Sequence, residues 1–243
     1  MNETSSLRRA GGWALLLAGL TGVACGFFLA YVPPAVTDDR FSYPLTADGY
    51  VAIQVFFFVH HLALAWGLLA VWRTGYAGRG VLAVMGAVAS VGSMVLLAGQ
   101  ELVAISARDA AYPSPETDTI EGVYGVLSMF NGFALILLGI AVARARRWQG
   151  WPRFVVLALG IFVFVPLTPA LFGPFVLARL TIGAWMLIFA LLGVALLRPG
   201  RPEPTSPSDL LPGTTESVDH GPDAGPSAVT RSAEDQPLRR LPY

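Results

Sequence analysis

The chain has no lysine, one cysteine and three histidines, and only 13% of its 243 residues are charged. Each scarcity excludes something. Soluble domains carry about 25% charged residues, so a chain this poor in charge is solvated by lipid. Its charges sit in the connections and the C-terminal tail, while the long apolar stretches hold almost none. The lone cysteine, Cys25, cannot staple the fold and reads as a small buried hydrophobe. It ends an apolar run behind Arg8 and Arg9, as a lipidation site does. However, Gly22 stands where a lipobox needs Leu or Val, and the run continues through Phe27, Phe28, Leu29 and Val32. That run is also too long for the apolar region of a cleaved signal peptide.

The histidines are too few for metal or haem chemistry. His60 and His61 are adjacent, and the third, His220, lies in the tail. Adjacent residues do not supply both axial ligands of a haem. A zinc site from His60, His61 and Glu101 lacks a fourth ligand, and Glu101 is too shallow. No nucleotide-binding or nucleophile motif stands out, so no cofactor, no catalytic residue and no nucleic-acid partner is expected. All 16 cationic residues are arginine. With abundant Gly, Ala, Val, Leu and Pro, that is the composition of a GC-rich bacterial genome.

What the chain does have is six apolar stretches: Gly12–Val32, Val51–Trp72, Val81–Ser106, Gly122–Ala143, Phe154–Phe172 and Phe175–Leu197. Each reaches or approaches the ~20 residues that cross ~30 Å of hydrocarbon. They are apolar on nearly every face, which fits helices and not the period-two alternation of a barrel. The expected fold is therefore all-α, a polytopic membrane protein built as a six-helix bundle. Residues 1–11 form a cytoplasmic N-terminus, 12–197 the transmembrane domain, and 198–243 a cytoplasmic tail. The tail is rich in Pro, Ser, Thr, Gly and acidic residues. It buries too little apolar surface to offset the entropy of ordering, so disorder is expected there.

The arginines set the orientation. One set of helix ends carries Arg8, Arg9, Arg73, Arg79, Arg144, Arg146, Arg147, Arg153, Arg198 and Arg201; the other carries Arg40 and Arg108 amid seven acidic residues. The positive-inside rule places both termini in the cytoplasm of a bacterial cell membrane. Trp13, Trp72, Trp148 and Trp151 then flank the cytoplasmic ends as interfacial anchors. On the outer side, Pro33–Tyr50 has the prolines and aromatics of an ordered cap, and Ala107–Glu121 is polar and turn-rich. A faint echo links Leu138–Arg144, Leu192–Arg198 and, more loosely, Gly67–Arg73, as in a parallel repeat of three hairpins.

Polar residues at membrane depth are functional candidates, because burying them is costly unless they are paired. At ~1.5 Å per residue, His60 and His61 lie roughly 20 and 18 Å from Arg73, and Asn131 roughly 20 Å from Arg144, near the midplane. Glu101 lies roughly 33 Å from Arg79, and Arg179 roughly 28 Å from Arg198, at the outer interface. Facing adds a constraint. Tyr50, Gln54 and His61 form one stripe. Ser90, Ser93, Leu97, Gln100 and Glu101 form a second, and Glu121, Tyr124, Ser128 and Asn131 a third. Turned inward, the three stripes make a polar crevice in the outer half of the bundle, drawing on Gln54, His60, His61, Gln100, Glu101, Tyr124, Ser128 and Asn131. The matched depth of Glu101 and Arg179 suggests an ion pair. The alternative for all of these is interhelical hydrogen-bond glue, at ~0.6 kcal/mol per bond.

Two further features concern packing. Ala18, Gly22, Gly26 and Ala30 recur every four residues, a small-residue face for close approach of another helix, either within the bundle or in a partner protein. The tail is a second possible docking segment. Pro166, Pro169 and Pro174 break the fifth stretch near its outer end, which either lines a site or is a tolerated kink. The function expected first is a non-catalytic membrane component: a scaffold, sensor or accessory subunit. A small-solute or proton-coupled transporter using His61, Asn131 and Glu101 comes second. A lipid enzyme with His61 as general base comes third.

Overall fold

A computed structural model describes residues 3–198. The tail read as disordered lies outside them, with His220. The elements are α1 (Glu3–Tyr31), α2 (Ala47–Arg73), α3 (Val81–Ala104, extended by a 3-10 turn over Ile105–Ala107) and α4 (Pro115–Ala145), followed by α5 (Pro152–Phe162), a π-helical turn (Val163–Leu167), α6 (Thr168–Leu171) and α7 (Phe175–Leu197). The turn joins α5 and α6 into one span, so six helical spans are long and apolar enough to cross a bilayer. The chain is a multi-pass membrane protein.

Several helices start earlier than the apolar runs do. The first begins at Glu3, inside the expected N-terminal segment, and brings Arg8 against the end of α7. There its Nη1 donates to the carbonyls of Leu196 and Arg198, both at 2.7 Å. These are carbonyls a helix C-terminus leaves without intrahelical partners. α4 begins at Pro115, not Gly122. Ser114 caps it, its hydroxyl accepting from Thr117 N while Thr117 Oγ1 accepts from Ser114 N, and proline suits the first helical position. The fifth span keeps its prolines by widening. Pro166 sits in the π-helical turn, and the Thr168 hydroxyl donates to the Val163 carbonyl at 2.7 Å. The Thr168 backbone N–H bonds the same carbonyl, so the π-helical turn keeps that oxygen paired next to the proline.

Each span packs on the next in sequence, and α7 closes the ring against α1 and α5. The core is apolar and fully buried: Leu15, Leu64, Leu68, Met94, Leu135, Leu138, Leu159 and Phe189. Large apolar side chains such as Leu17, Phe28, Val59, Val88, Val126 and Phe133 point outward, as lipid contact requires. The α1–α7 seam is built on glycine. A Cβ on Gly19 would meet the backbone of Ala190, and one on Gly26 would stand 2.9 Å from the Arg179 carbonyl. The Ala18–Gly22–Gly26 face expected as a possible partner surface is thus taken up inside the bundle. Its neighbours are α7 and, at Gly22, His60 of α2. In the sequence echo, Gly139 meets Leu157 of α5 and Gly193 meets Leu16 of α1, each the first helix of the following hairpin. Gly67 instead meets Leu15 within its own hairpin, so the third copy does not share the geometry.

At the Arg-poor end two loops are zipped together. Phe41 N donates to Ala110 O at 3.1 Å, Tyr112 N to Asp39 O at 2.7 Å, and Arg40 Nη1 to Asp109 O at 3.2 Å. Phe41 lies between Tyr50 and Tyr112, with ring centroids 5.7 and 6.1 Å away. The loops form a cap over Ala104, Ala107 and Ile120. At the Arg-rich end Trp13 and Trp151 are exposed and Trp72 half-buried. Trp148 departs from the anchor role: it is buried, stacked on Tyr76 at 4.2 Å between centroids.

Candidate functional site: a buried polar network

Because α2, α3 and α4 are consecutive and joined by short connections, their outer halves are neighbours, and the polar stripes converge there. Glu101 of α3 is the centre. Its Oε2 accepts from the Tyr124 hydroxyl of α4 at 2.7 Å, and its Oε1 stands 3.5 Å from Nδ1 of His61 on α2. Gln54, one stripe position outward from His61, donates from Nε2 to the Tyr124 oxygen at 3.2 Å and lies 3.5 Å from the Glu101 carbonyl. One carboxyl group therefore ties three helices. Gln100 adds a bond to the Ile120 carbonyl at 3.3 Å.

The geometry fixes tautomers. Nδ1 of His61 faces two acceptors, the Phe57 carbonyl at 2.9 Å and the Glu101 carboxylate. It must carry a hydrogen, which leaves Nε2 as the acceptor nitrogen of the neutral ring. His60, its sequence neighbour, turns away toward α1. Its Nε2 donates to the Ala18 carbonyl at 2.8 Å, and its Nδ1 is buried without a partner. The two histidines thus serve different helix contacts. Chemically, the His61–Glu101–Tyr124 group can hold and share a proton in a dry setting. Among the described residues no three His, Cys, Asp or Glu side chains come together as metal ligands.

Asn131 lies one layer deeper. Its Oδ1 accepts from the Ser93 hydroxyl at 2.9 Å, and its Nδ2 is buried without a hydrogen-bond partner. Ser93 also contacts the Ser90 carbonyl at 3.0 Å, a back-bond within its own helix. Ser128 is half-buried between the two layers. Glu121, at the outer end of its stripe, is exposed and reached by the Tyr112 hydroxyl at 3.4 Å.

Two expectations need correction. The polar residues do not line an open crevice; they fill the space between the helices. Gln54 is 5% exposed, Glu101 6%, Gln100 8% and Asn131 0%. Glu101, Tyr124 and Gln54 bond one another, and Phe41 of the loop cap packs beside Tyr50 and Tyr124 on the apolar cluster of Ala104, Ala107 and Ile120. The Glu101–Arg179 pair also fails. α3 and α7 do not pack on each other in the ring, and Glu101 takes His61 and Tyr124 as its close partners. Arg179 places its guanidinium over the Phe175 ring, 4.7 Å from the centroid.

Sequence reasoning missed the His60–Ala18 bond, the Arg8 cap on α7 and the Trp148–Tyr76 stack. The first had a signal: a histidine off the polar stripe, opposite a small-residue face, needs a backbone acceptor. No known family's sequence pattern matches the chain, and neither a curated protein nor a solved structure is similar to it.

Proposed function

We propose that the chain is a non-catalytic component of a bacterial cell membrane, a sensor or accessory subunit, with both termini cytoplasmic. The observation that carries this reading is where the polar network stops. Below Asn131 the one buried hydroxyl among the described core residues is that of Ser90, bonded back to the Ala87 carbonyl of its own helix at 3.2 Å, and around it the bundle interior is apolar: Leu64, Leu68, Leu135, Leu138, Leu159 and Phe189, all fully buried. Protons and small solutes need polar groups or water along the whole path. A network confined to the outer half offers no such path. It suits a lock that holds α2, α3 and α4 in register beneath the cap.

Proton-coupled transport is the second reading, favoured by the 3.5 Å approach of His61 to Glu101 at membrane depth. One assay separates the two. The full chain, reconstituted into vesicles carrying a pH dye, is placed across a proton gradient. The proposed role gives a leak equal to that of empty vesicles. A flux above empty vesicles that His61→Ala abolishes would replace the proposal with transport.

A further inference from the structure

The Arg179 side chain is a half-buried charge at the outer end of the bundle that the network leaves aside. It stands on α7 one turn past Phe175, on the inward face whose next members are Gly183 and Met186. Side chains on a helix lean toward its N-terminus, and the guanidinium accordingly lies back over the Phe175 ring at 4.7 Å. Its Nε is buried without a hydrogen-bond partner, and no carboxylate among the described residues forms an ion pair with it. The residue as a whole is half-buried, so the rest of the guanidinium edge is reachable.

A guanidinium keeps its charge in proteins. At membrane depth such a charge is paired or faces a polar ligand, because dehydration is costly. A cation–π contact returns less than that cost. The polar protein groups around it are Tyr50 of α2, Cys25 of α1, Glu101 of α3 and Tyr124 of α4. Tyr50 carries a hydroxyl, which can donate to an anion. Cys25 is buried. Glu101 and Tyr124 are bonded to each other. Phe175 is itself held from outside by Tyr43 of the cap, with centroids 5.2 Å apart in an edge-on arrangement. The first backbone N–H groups of α7 lie at the same level, at the positive end of that helix.

We propose that Arg179, between α1 and the outer end of α7 and behind the Phe175 ring held by Tyr43, binds the oxyanion of a phosphate group. The planar fork of arginine matches two phosphate oxygens at once. The site is roughly 28 Å along α7 from Arg198, at the headgroup level of a ~30 Å core. Two sources share this chemistry: the phosphodiester of an outer-leaflet lipid, and inorganic phosphate from water. The inference rests on α7 spanning the membrane, not on the sensor or accessory role, so its failure leaves the proton-flux result untouched.

The test is thermal unfolding of the purified full chain in neutral detergent, with phosphatidylglycerol, with phosphatidylcholine or with inorganic phosphate added. Arg179→Gln is compared with wild type and with Arg153→Gln, a control at the Arg-rich end. The expected result is a rise in the wild-type midpoint that Arg179→Gln loses and Arg153→Gln keeps. A rise with phosphatidylglycerol alone identifies a lipid headgroup; a rise with inorganic phosphate identifies a free anion. A rise with phosphatidylcholine as well assigns the site to the lipid phosphodiester whatever its headgroup; a wild-type midpoint that none of the three moves overturns the site, as does a rise equal in Arg179→Gln. If Arg179→Gln does not fold, Arg179→Lys is used, which keeps the charge and loses the fork. The ligand-induced rise should then fall at least twofold, and an undiminished rise overturns the proposal.

Discussion

Removing the Tyr124 hydroxyl tests whether Glu101 organises the outer half of the bundle. Tyr124→Phe deletes one bond donated at 2.7 Å to the Glu101 carboxyl and one accepted at 3.2 Å from Gln54. Interhelical hydrogen bonds in membranes average ~0.6 kcal/mol and reach ~1.7. Two such bonds put the cost at about 1–3 kcal/mol, with the short bond to the carboxyl toward the upper limit. The single variant alone does not identify the partner, so a double-mutant cycle with Glu101→Met is needed. Methionine has the length of glutamate and no comparable acceptor. The double variant should be more stable than the sum of the singles by about 1 kcal/mol, because the shared bond is counted twice in that sum. Unfolding in mixed micelles, followed by helical circular dichroism as the denaturing detergent is raised, gives each free energy. Additivity within about 0.5 kcal/mol would refute the coupling.

Other outcomes follow from the same geometry. Gly19→Leu should weaken the α1–α7 seam by about 1–3 kcal/mol in the same assay, since its side chain meets the Ala190 backbone, whereas Gly92→Leu, which has open space around it, should not. Ser93→Ala strands Asn131, and adding Asn131→Leu should recover part of the ~1 kcal/mol loss, because stranding one buried partner costs more than removing both. In a Cys25→Ala background, an impermeant thiol reagent should label Asp39→Cys from outside sealed cells and Arg79→Cys only after lysis, both positions being exposed. The reverse pattern would invert the proposed orientation.

Much of this architecture is legible in the residues. Six spans follow from apolar length, and the break in the fifth from Pro166. The convergence of Gln54, His61, Glu101 and Tyr124 follows from three polar stripes on consecutive helices, since a stripe facing lipid would leave polar groups unpaired. The Glu101–Tyr124 bond was within reach, because residues at like depth on an antiparallel hairpin are neighbours. The Glu101–Arg179 pair fails because matched depth does not establish adjacency. The ring order puts α3 and α7 on non-neighbouring positions, and periodicity carries no information on ring order. Helix starts are misplaced where caps override hydropathy, as Ser114 and Pro115 do for α4. The closed state of the site was hidden because it depends on the cap, whose loops join through backbone bonds such as Tyr112 N to Asp39 O.

Glu101 takes its hydrogen bond from Tyr124 and lies beside His61, while Arg179 acts on it only through space. Infrared difference spectroscopy of the chain in nanodiscs tests this arrangement most directly, with the carboxyl band of Glu101 assigned by its loss in Glu101→Gln. Hydrogen bonding to the carboxyl sets the position of that band. The account predicts a clear displacement in Tyr124→Phe and a smaller or absent one in Arg179→Gln. A band that moves with Arg179→Gln and stays put in Tyr124→Phe would contradict it.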